Sequence, residues 1–389
     1  MAITTTSTLS PKVQAYYDKR FMLRAKPILV GYQFGQKRNL PGGVGATVYF
    51  TRYMPLAKQT SALDETLTGG LDPATRQAIK TEEISATAAL WGDYVQMSRF
   101  ADLTSINPEM DEKTDLVAQQ AGESIDYQIM KEVSHGINHR RADSDATYQV
   151  EGTADSGSIT TLVDDALTQA DDFWNGGFLV ITGGTNYGQV RQVSGFVAAT
   201  DTVTVSPAFS KAIDSTSTYR LVVGTGLVAT DVLATAGIRL GVRDLKRAKA
   251  LKAEKGYFLG IINPDLEYDF MGDTSWVNAA TYKDQVDSLY EGEIGKWFGV
   301  RFVGTTELIR ESVAGVIGDT GAVHNALLLG REAYGVVDLE GQPKKIYAKS
   351  PDQLGQAIPI YSTLGWEVGF VPKTLNGMFG VSIMCGASS

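Results

Sequence analysis

The sequence predicts an α+β fold in which a small all-β module interrupts two mixed regions, and three observations indicate it. An apolar stripe with four-residue spacing runs from Val117 to Val133, which is typical of a helix buried along one face. Residues 150–223 alternate short apolar segments with turn residues, which is typical of closely spaced strands. Residues 42–98 hold two strand-like segments separated by a long polar stretch, which predicts an extended ribbon rather than a packed unit.

The composition excludes several classes of protein. At 389 residues, 43% hydrophobic and 20% charged, the chain resembles a globular protein of about two or three domains. No apolar run approaches the ~18 residues that span a bilayer, and the first residues lack the features of a signal peptide, so we expect neither a membrane nor a secreted protein. One cysteine, Cys385, excludes an intrachain disulfide and a cysteine-built zinc site. With only three histidines besides, we predict no enzyme, no cofactor and no metal.

Charge is distributed unevenly along the chain, whose formal net charge is −9. Residues 1–41 carry seven basic side chains and one acidic one, whereas residues 143–223 carry ten acidic and three basic ones. A basic arm of this kind contacts either phosphate or acidic surface on a neighbouring copy. The candidate DNA-facing residues of the arm are Lys12, Lys19, Arg20 and Arg24.

The N-terminal half begins with a helix predicted over Pro11–Met22, and a Pro-Gly cluster follows it. Two strands, Ala46–Pro55 and Ile84–Ser98, then form the sides of the ribbon. Because a two-stranded ribbon is marginal alone in water, we expect it to lie on another subunit. The strongest helix follows over Glu109–Ser134, with acidic residues in its first turn.

Beyond the all-β module, apolar spacing predicts a helix over Thr230–Lys255, which Gly256 would end. A second helical stretch, Trp276–Leu289, lies among strands, which indicates an α+β region. The sequence of the tail, residues 345–389, predicts strands that return to an earlier sheet. The strands predicted within this region are Tyr257–Ile262, Val300–Gly304, Ala326–Leu329 and Gly335–Leu339.

Two patterns also occur in sites of other chemistry, a metal pair and a dinucleotide loop. His135 and His139 have the four-residue spacing of a helical metal pair, but Gly136 and the following Arg140-Arg141 indicate that the helix is ending there. The turn over residues 224–229 resembles a dinucleotide loop, yet Asp244, at the right distance, falls inside a predicted helix. Two alternative functions therefore stay open: a nucleotide-binding α/β enzyme that uses the 224–229 turn, and a surface carbohydrate-binding protein that uses the 150–223 module.

Four C-terminal segments point to a particular protein family. Together they resemble the corresponding segments of the major capsid proteins of tailed bacteriophages. The resemblance covers the chain except roughly residues 150–223. The segments are Gly260-Ile-Ile-Asn-Pro264 continuing to Trp276, Tyr290-Glu-Gly-Glu-Ile-Gly-Lys-Trp-Phe-Gly-Val-Arg-Phe-Val303, Leu328-Leu-Gly-Arg-Glu-Ala-Tyr-Gly-Val-Val-Asp338 and Leu364-Gly-Trp366.

The resemblance implies the Hong Kong-type capsid fold, and it gives each region a role. The expected parts are an N-terminal arm (1–41), an extended β-hairpin loop (42–98), a peripheral domain with a spine helix (99–149), an inserted all-β domain (150–223), an axial domain (224–342) and strands that return to the peripheral domain (343–389). We expect the acidic insertion to project outward.

The same resemblance implies a structural protein that forms hexamers and pentamers of an icosahedral head around double-stranded DNA. The expected partners are further copies of the chain, packaged DNA bound without sequence preference, and portal, scaffold and decoration proteins, with no membrane. The expected location is the virion, and the host cytoplasm during assembly. The predicted inter-subunit residues are Arg52, Leu63, Leu67, Trp297 and Arg301.

Overall fold

The structure is a computed structural model of the chain. It describes residues 19–25, 28–41, 43, 45–54, 56, 58, 78–79, 81–98, 100, 109–253, 256–273, 293–312, 322–339, 345–349 and 360–388. Within these residues no helix is both long enough and apolar enough to cross a membrane.

The described part of the N-terminal segment, residues 19–25 and 28–41, packs against the body of the protein. Residues 19–25 form helix α1, Val30–Phe34 form α2, and Gln36–Leu40 form strand β1. Strand β1 pairs in parallel with a C-terminal strand, Gln36 opposite Gly335. This strand was not predicted, because its sequence, Gln-Lys-Arg-Asn-Leu, is polar and four of its five residues are exposed.

The ribbon consists of two antiparallel strands, β2 (Thr47–Tyr53) and β3 (Thr81–Thr87). The predicted single strand Ile84–Ser98 is wrong: it is divided between β3 and a separate strand, β4 (Ala89–Ser98). The chain changes partner at Ala88, whose N–H donates to the Ala46 carbonyl at the base of the ribbon. Strand β4 then pairs with a C-terminal strand in another sheet.

Helix α3 (Glu109–Gly136) is the predicted spine helix and extends two residues beyond the predicted end. Its 28 residues span about 42 Å at 1.5 Å per residue. The apolar stripe that predicted the helix is fully buried and forms the centre of the largest core cluster. That stripe comprises Val117, Ala121, Ile125, Ile129 and Val133.

Strand β5 (Asn138–Arg141) follows the spine helix, and then seven strands form a separate all-β sheet, here called the β module. Its order is β6-β12-β9-β10-β11-β8-β7, and its own core surrounds Trp174 and Phe196. Turn residues in this part of the sequence predict four strands, and all four are present within one residue at each end: Phe178–Thr182, Gln189–Phe196, Thr202–Val205 and Tyr219–Val223. The bounds are β6 (Gln149–Thr153), β7 (Ser156–Gly157), β8 (Thr161–Val163), β9 (Phe178–Gly183), β10 (Val190–Val197), β11 (Thr202–Ser206) and β12 (Thr218–Val222).

The helix predicted over Thr230–Lys255 is only half as long, and forms α4 (Thr235–Arg247). Lys249 adopts a left-handed backbone with φ of 57°, which ends the helix. Ile238, Val242 and Leu245 form its buried face, while Leu251, which lies beyond the end of the helix, is exposed.

Around α4 lies a second seven-stranded sheet, here called the central sheet, with strand order β14-β15-β13-β17-β21-β5 and β16 beside β17. Helix α4 covers one face of it, and the spine helix packs on the other. The predicted helix Trp276–Leu289 lies outside the described residues. The bounds are β13 (Phe258–Ile262), helix α5 (Pro264–Gly272), β14 (Glu293–Trp297), β15 (Val300–Gly304), β16 (Arg310–Ser312) and β17 (Ala322–Leu329).

The C-terminal strands serve two sheets. Strands β18 (Tyr334–Leu339), β19 (Lys345–Lys349) and β20 (Tyr361–Thr374) join β1 and β4 in a five-stranded sheet over the spine helix. The last strand, β21 (Gly380–Cys385), instead pairs with β17 and β5 in the central sheet. The segment predicted to return to an earlier sheet is thus divided between two sheets, and the six residues of β21 are all buried where the central sheet is covered on both faces.

Candidate assembly surfaces

Strand β4 presents the most conspicuous unsupported surface. Among the described residues its only strand partner is β20, with Ala89 opposite Phe370 and Ser98 opposite Tyr361. Eight of its ten residues are exposed, and they include large apolar side chains on both faces. A long exposed edge strand offers unpaired backbone groups and is a template for pairing with another chain. The exposed apolar residues are Leu90, Trp91, Tyr94 and Val95.

The ribbon has one buried face and one exposed face, as period-two alternation requires. Val48, Phe50 and Ala86 pack against the end of the five-stranded sheet, where they meet Val337 and Leu375. On the opposite face, the side chains of Tyr49 and Tyr53 are exposed. The base of the ribbon is thus fixed to its own chain, while its tyrosines face outward.

Arg52 was predicted as an inter-subunit residue, but the structure places it at the junction of the ribbon and the β module. Its Nη2 donates to the Tyr187 carbonyl at 3.0 Å, and its Nη1 lies 3.6 Å from Glu82 Oε2. Gln189 of the module donates in turn to Glu82 Oε1 at 2.5 Å. Burial lowers the pKa of Arg52, an effect that the charge of Glu82 opposes. The guanidinium is therefore already engaged within one chain.

The other predicted inter-subunit residues are less exposed than expected, or lie outside the described residues, as do Leu63 and Leu67. Trp297 is half-buried and packs against the core under α4. Arg301 is half-buried on β15. A direct contact of either residue with a neighbour stays a prediction.

The basic arm keeps only part of its predicted free charge. Arg20 forms a bidentate ion pair with Asp115 of the spine helix, at 2.8 and 2.9 Å. The hydrogen bond from Arg20 lowers the pKa of Asp115, so the pair stays ionised. Lys19 and Arg24 are exposed, and Lys12 lies outside the described residues. Arg20 is thus engaged within the chain, and a DNA-facing role of the arm stays a prediction.

A buried network of charges joins the β module to the central sheet. Arg220 of β12 donates to Asn138 Oδ1 of β5 at 2.7 Å and to Glu151 Oε1 at 2.8 Å. Asp244 of α4 accepts from Arg140 and lies 3.4 Å from Arg220. Burial would raise the pKa of Asp244, but the hydrogen bond from Arg140 and the charges of both arginines lower it overall.

This network also bears on the nucleotide-binding alternative. Strand β12, which precedes the 224–229 turn, belongs to an antiparallel sheet rather than to a βαβ unit. Asp244 faces arginines in a buried network instead of lying at a strand end. Gly226 has φ of +79°, and a Cβ there would lie 2.5 Å from the Tyr148 ring, so its small size permits close packing. None of these features is that of a phosphate-binding loop.

The candidate metal ligands are likewise used for packing. His139 is buried and stacks on Phe178 with ring centroids 3.7 Å apart, and burial lowers its pKa to about 3. Among the described residues, Asp155, Asp164 and Asp165 form the one carboxylate cluster close enough to share an ion. Asp164 accepts from Tyr219 Oη at 2.6 Å, and Asp155 accepts from the backbone N–H of Asp165 at 3.0 Å. The module therefore supplies donors to this cluster itself.

Together, the spine helix, the ribbon, the five-stranded sheet and the central sheet define the Hong Kong-type fold of tailed-phage capsid proteins. The chain is similar to the capsid of Ralstonia phage GP4, with a TM-score of 0.54 and 13% identity over 92% of this chain and 88% of that one. It is also similar to the cyanophage Pam1 capsid, with a TM-score of 0.53 and 14% identity over 90% of this chain and 87% of that one. The predicted fold class is confirmed. No protein-family model matches the sequence, and no curated protein matches it significantly.

Sequence reasoning missed the exposed residues of β4. Leu90 and Trp91 were assigned to the second side of the ribbon, where apolar residues are expected to alternate between a buried and an exposed face. A usable signal is present, because Leu90, Trp91, Tyr94 and Val95 do not alternate. Apolar residues at adjacent positions of one strand cannot all face a single core.

Proposed function

We propose that this chain is the structural subunit of a bacteriophage head, in which hexamers and pentamers build an icosahedral shell around double-stranded DNA. The fold supports this function, and the observation that carries it is the exposed edge strand β4. Leu90, Trp91, Tyr94 and Val95 lie on this strand, whose outer edge has no strand partner in the part of the chain that the structure describes, a combination that favours association. We further propose that the chain has no catalytic role.

The energetics favour association through this surface. Covering a large apolar side chain contributes about 1.5–3 kcal/mol, so a few such residues on each subunit give a substantial contact. We propose that a different surface of the neighbour covers the edge of β4, which makes the contact heterologous. Heterologous contacts repeat around a ring until the rotation closes, which is the geometry of a hexamer or pentamer.

Within this proposal the regions take the roles that the resemblance implies. Residues 99–149 contribute the spine helix of a peripheral domain, and residues 224–342 the axial domain around which the rings form. The β module (150–223) projects outward, and the exposed basic side chains of the arm face packaged DNA. Portal, scaffold and decoration proteins complete the particle. The location is the virion, after assembly in the host cytoplasm.

The test is whether the purified chain forms particles through β4. We expect the wild-type protein to give ring-shaped capsomers or closed shells in negative-stain micrographs and fast-sedimenting species in ultracentrifugation. The double substitution Leu90→Lys and Tyr94→Lys places two charges on the edge strand. We expect it to abolish particles while leaving the circular dichroism spectrum unchanged.

A matched control is Leu116→Lys with Tyr127→Lys, which makes the same chemical change at two exposed positions of the spine helix. It is expected to assemble normally. Wild-type protein that stays monomeric at every ionic strength, or normal shells from the β4 variant, would contradict the proposed function.

A further inference from the structure

Helix α4 and the residues after it carry an unusual concentration of exposed positive charge. Residues 232–253 contain six basic side chains and one acidic one, in a protein of net charge −9. The acidic residue, Asp244, is buried and faces the module junction. All six basic residues, here called the basic face, are exposed: Arg239, Arg243, Lys246, Arg247, Lys249 and Lys252.

An aromatic residue, Phe298, lies among these charges and has a left-handed backbone conformation, which is strained for a residue with a Cβ. Phe298 is 49% exposed and has φ of 48° in the tight turn between β14 and β15. Gly, Asn and Asp are the residues preferred there, because a Cβ is strained in the left-handed region. Arg239 and Lys246 lie over its ring at 5.7 and 5.4 Å. An exposed aromatic ring beside arginines is typical of protein–protein contacts.

The β module carries a complementary surface, here called the acidic edge: Asp155, Asp165, Asp171, Asp172 and Val197, all of them exposed. Its two parts meet at the turn between β10 and β11, where the N–H of Asp172 donates to the Phe196 carbonyl at 2.9 Å and the N–H of Asp164 donates to the Asp201 carbonyl at 3.2 Å. Asp171 Oδ1 accepts from the N–H of Ala198 at 2.7 Å, and Asp155 Oδ2 accepts from the N–H of Asp165 at 3.0 Å. Val197 adds an exposed aliphatic side chain next to the carboxylates.

Side-chain alternation along β12 separates the two surfaces of one chain. Arg220 of β12 lies 3.4 Å from Asp244 of α4. The preceding residue, Tyr219, faces the other side of the strand and donates to Asp164, the neighbour of Asp165, at 2.6 Å. The acidic edge therefore lies on the side of β12 opposite to the contact with α4.

We propose that the basic face of α4 in one copy binds the acidic edge of the β module in a neighbouring copy. The inference rests on the proposed function, because a shell is what brings many copies side by side. Charge complementarity supports it, as does the match between Phe298 and the exposed Val197. Duplex DNA would pair with the cations but leave the half-exposed ring without an apolar partner, so a protein surface is the better fit.

A charge exchange tests this contact. The variant Arg239→Glu with Lys246→Glu reverses part of the basic face, and Asp171→Lys with Asp172→Lys reverses part of the acidic edge. We expect each double variant to weaken self-association at least tenfold at low salt, and the combined quadruple variant to return to within about threefold of wild type. Wild-type association should also weaken as salt rises, because exposed charges are screened. The matched control, Lys131→Glu on the exposed side of the spine helix, should have no such effect.

Sedimentation detects small oligomers as well as complete shells. The contact between two copies is therefore measured separately from the closure of a shell. Rescue observed in small oligomers without shells would support this contact and contradict the proposed function. Shells from wild type with no rescue in the quadruple variant would leave the function standing and overturn the contact. If the α4 variant associates normally but loses affinity for a 30-base-pair DNA duplex, the surface binds nucleic acid and the proposal is likewise overturned. Wild-type protein that remains monomeric overturns both.

Discussion

Arg141 and Val223 are 82 positions apart in sequence, yet the guanidinium Nη1 of Arg141 donates to the carbonyl oxygen of Val223 at 2.7 Å. The same nitrogen donates to the Thr225 carbonyl, and Nη2 pairs with Asp143 at 2.6 Å. The ring of Tyr148 lies 4.6 Å from the guanidinium carbon. One buried side chain thus fastens together the two points at which the chain enters and leaves the β module.

Replacing this side chain tests how much the fastening contributes. We expect Arg141→Gln to lower the stability of the unassembled chain by about 2–4 kcal/mol, because it leaves buried carbonyls and a carboxylate without their donor. Urea unfolding gives the measurement. The control is Arg331→Gln, at an exposed ion pair with Glu332, for which less than about 1 kcal/mol is expected. Equal effects of the two substitutions would contradict the assigned role.

Gly226 offers a test that separates packing from nucleotide binding. We expect Gly226→Ala to destabilise the chain by about 1–3 kcal/mol, since alanine is strained at φ of +79° and its Cβ would meet the Tyr148 ring. Gly195→Ala, where the nearest atom is 3.8 Å from the added Cβ, is the matched control. Thermal melting with and without ATP or NAD measures both the destabilisation and any binding of a nucleotide. A nucleotide-dependent shift of the melting temperature of wild type would support the alternative function.

Asp126 predicts a dependence of stability on pH. Burial raises the pKa of this spine-helix carboxyl to about 7, although hydrogen bonds from Gly31 and Thr305 oppose the rise. The unfolded value is about 3.9, so the folded state binds the extra proton, and this group's contribution to stability falls as pH rises from about 4 to 7. Asn is neutral at every pH and can still accept the hydrogen bond from the Gly31 N–H, which is 2.6 Å long.

We therefore expect the free energy of unfolding of Asp126→Asn to increase by about 2–4 kcal/mol relative to that of wild type as the pH is raised from 5 to 8. Urea unfolding at both pH values measures the difference. Glu332→Gln, at an exposed position, should follow the wild-type profile. A constant gap between Asp126→Asn and wild type at both pH values would show that Asp126 does not titrate in this range.

From the contact of Arg52 with Tyr187 we predict that its loss affects local opening of the ribbon rather than global unfolding. Arg52→Gln removes the hydrogen bond to the module and the ion pair with Glu82, worth about 1–1.5 kcal/mol together. Amides of β2 and β3 should then exchange about tenfold faster with solvent, because local opening becomes easier. Hydrogen exchange read by mass spectrometry measures this, with Lys211→Gln as the exposed control. Unchanged ribbon exchange would show that the module does not hold the ribbon.

Much of the fold could be predicted where burial follows a local period. The stripe from Val117 to Val133 marked the spine helix correctly, and the short strands between Phe178 and Val222 were found because each alternates or is bounded by turn residues. The site was harder to predict. Arg20 and Arg52 read as free charges in the sequence, while their partners, Asp115 and Glu82, are distant and nothing local identifies them.

The sequence by itself determined the spine helix, the strands from Phe178 to Val222 and where the charge accumulates, because side-chain periodicity and composition are properties of neighbouring residues. Only the tertiary structure decided that β4 leaves the ribbon for β20, that β21 joins the central sheet, and that α4 ends at Arg247. Strand partners and helix ends of this kind depend on contacts between residues far apart in the chain, and the free energy of those contacts exists only once the chain has folded.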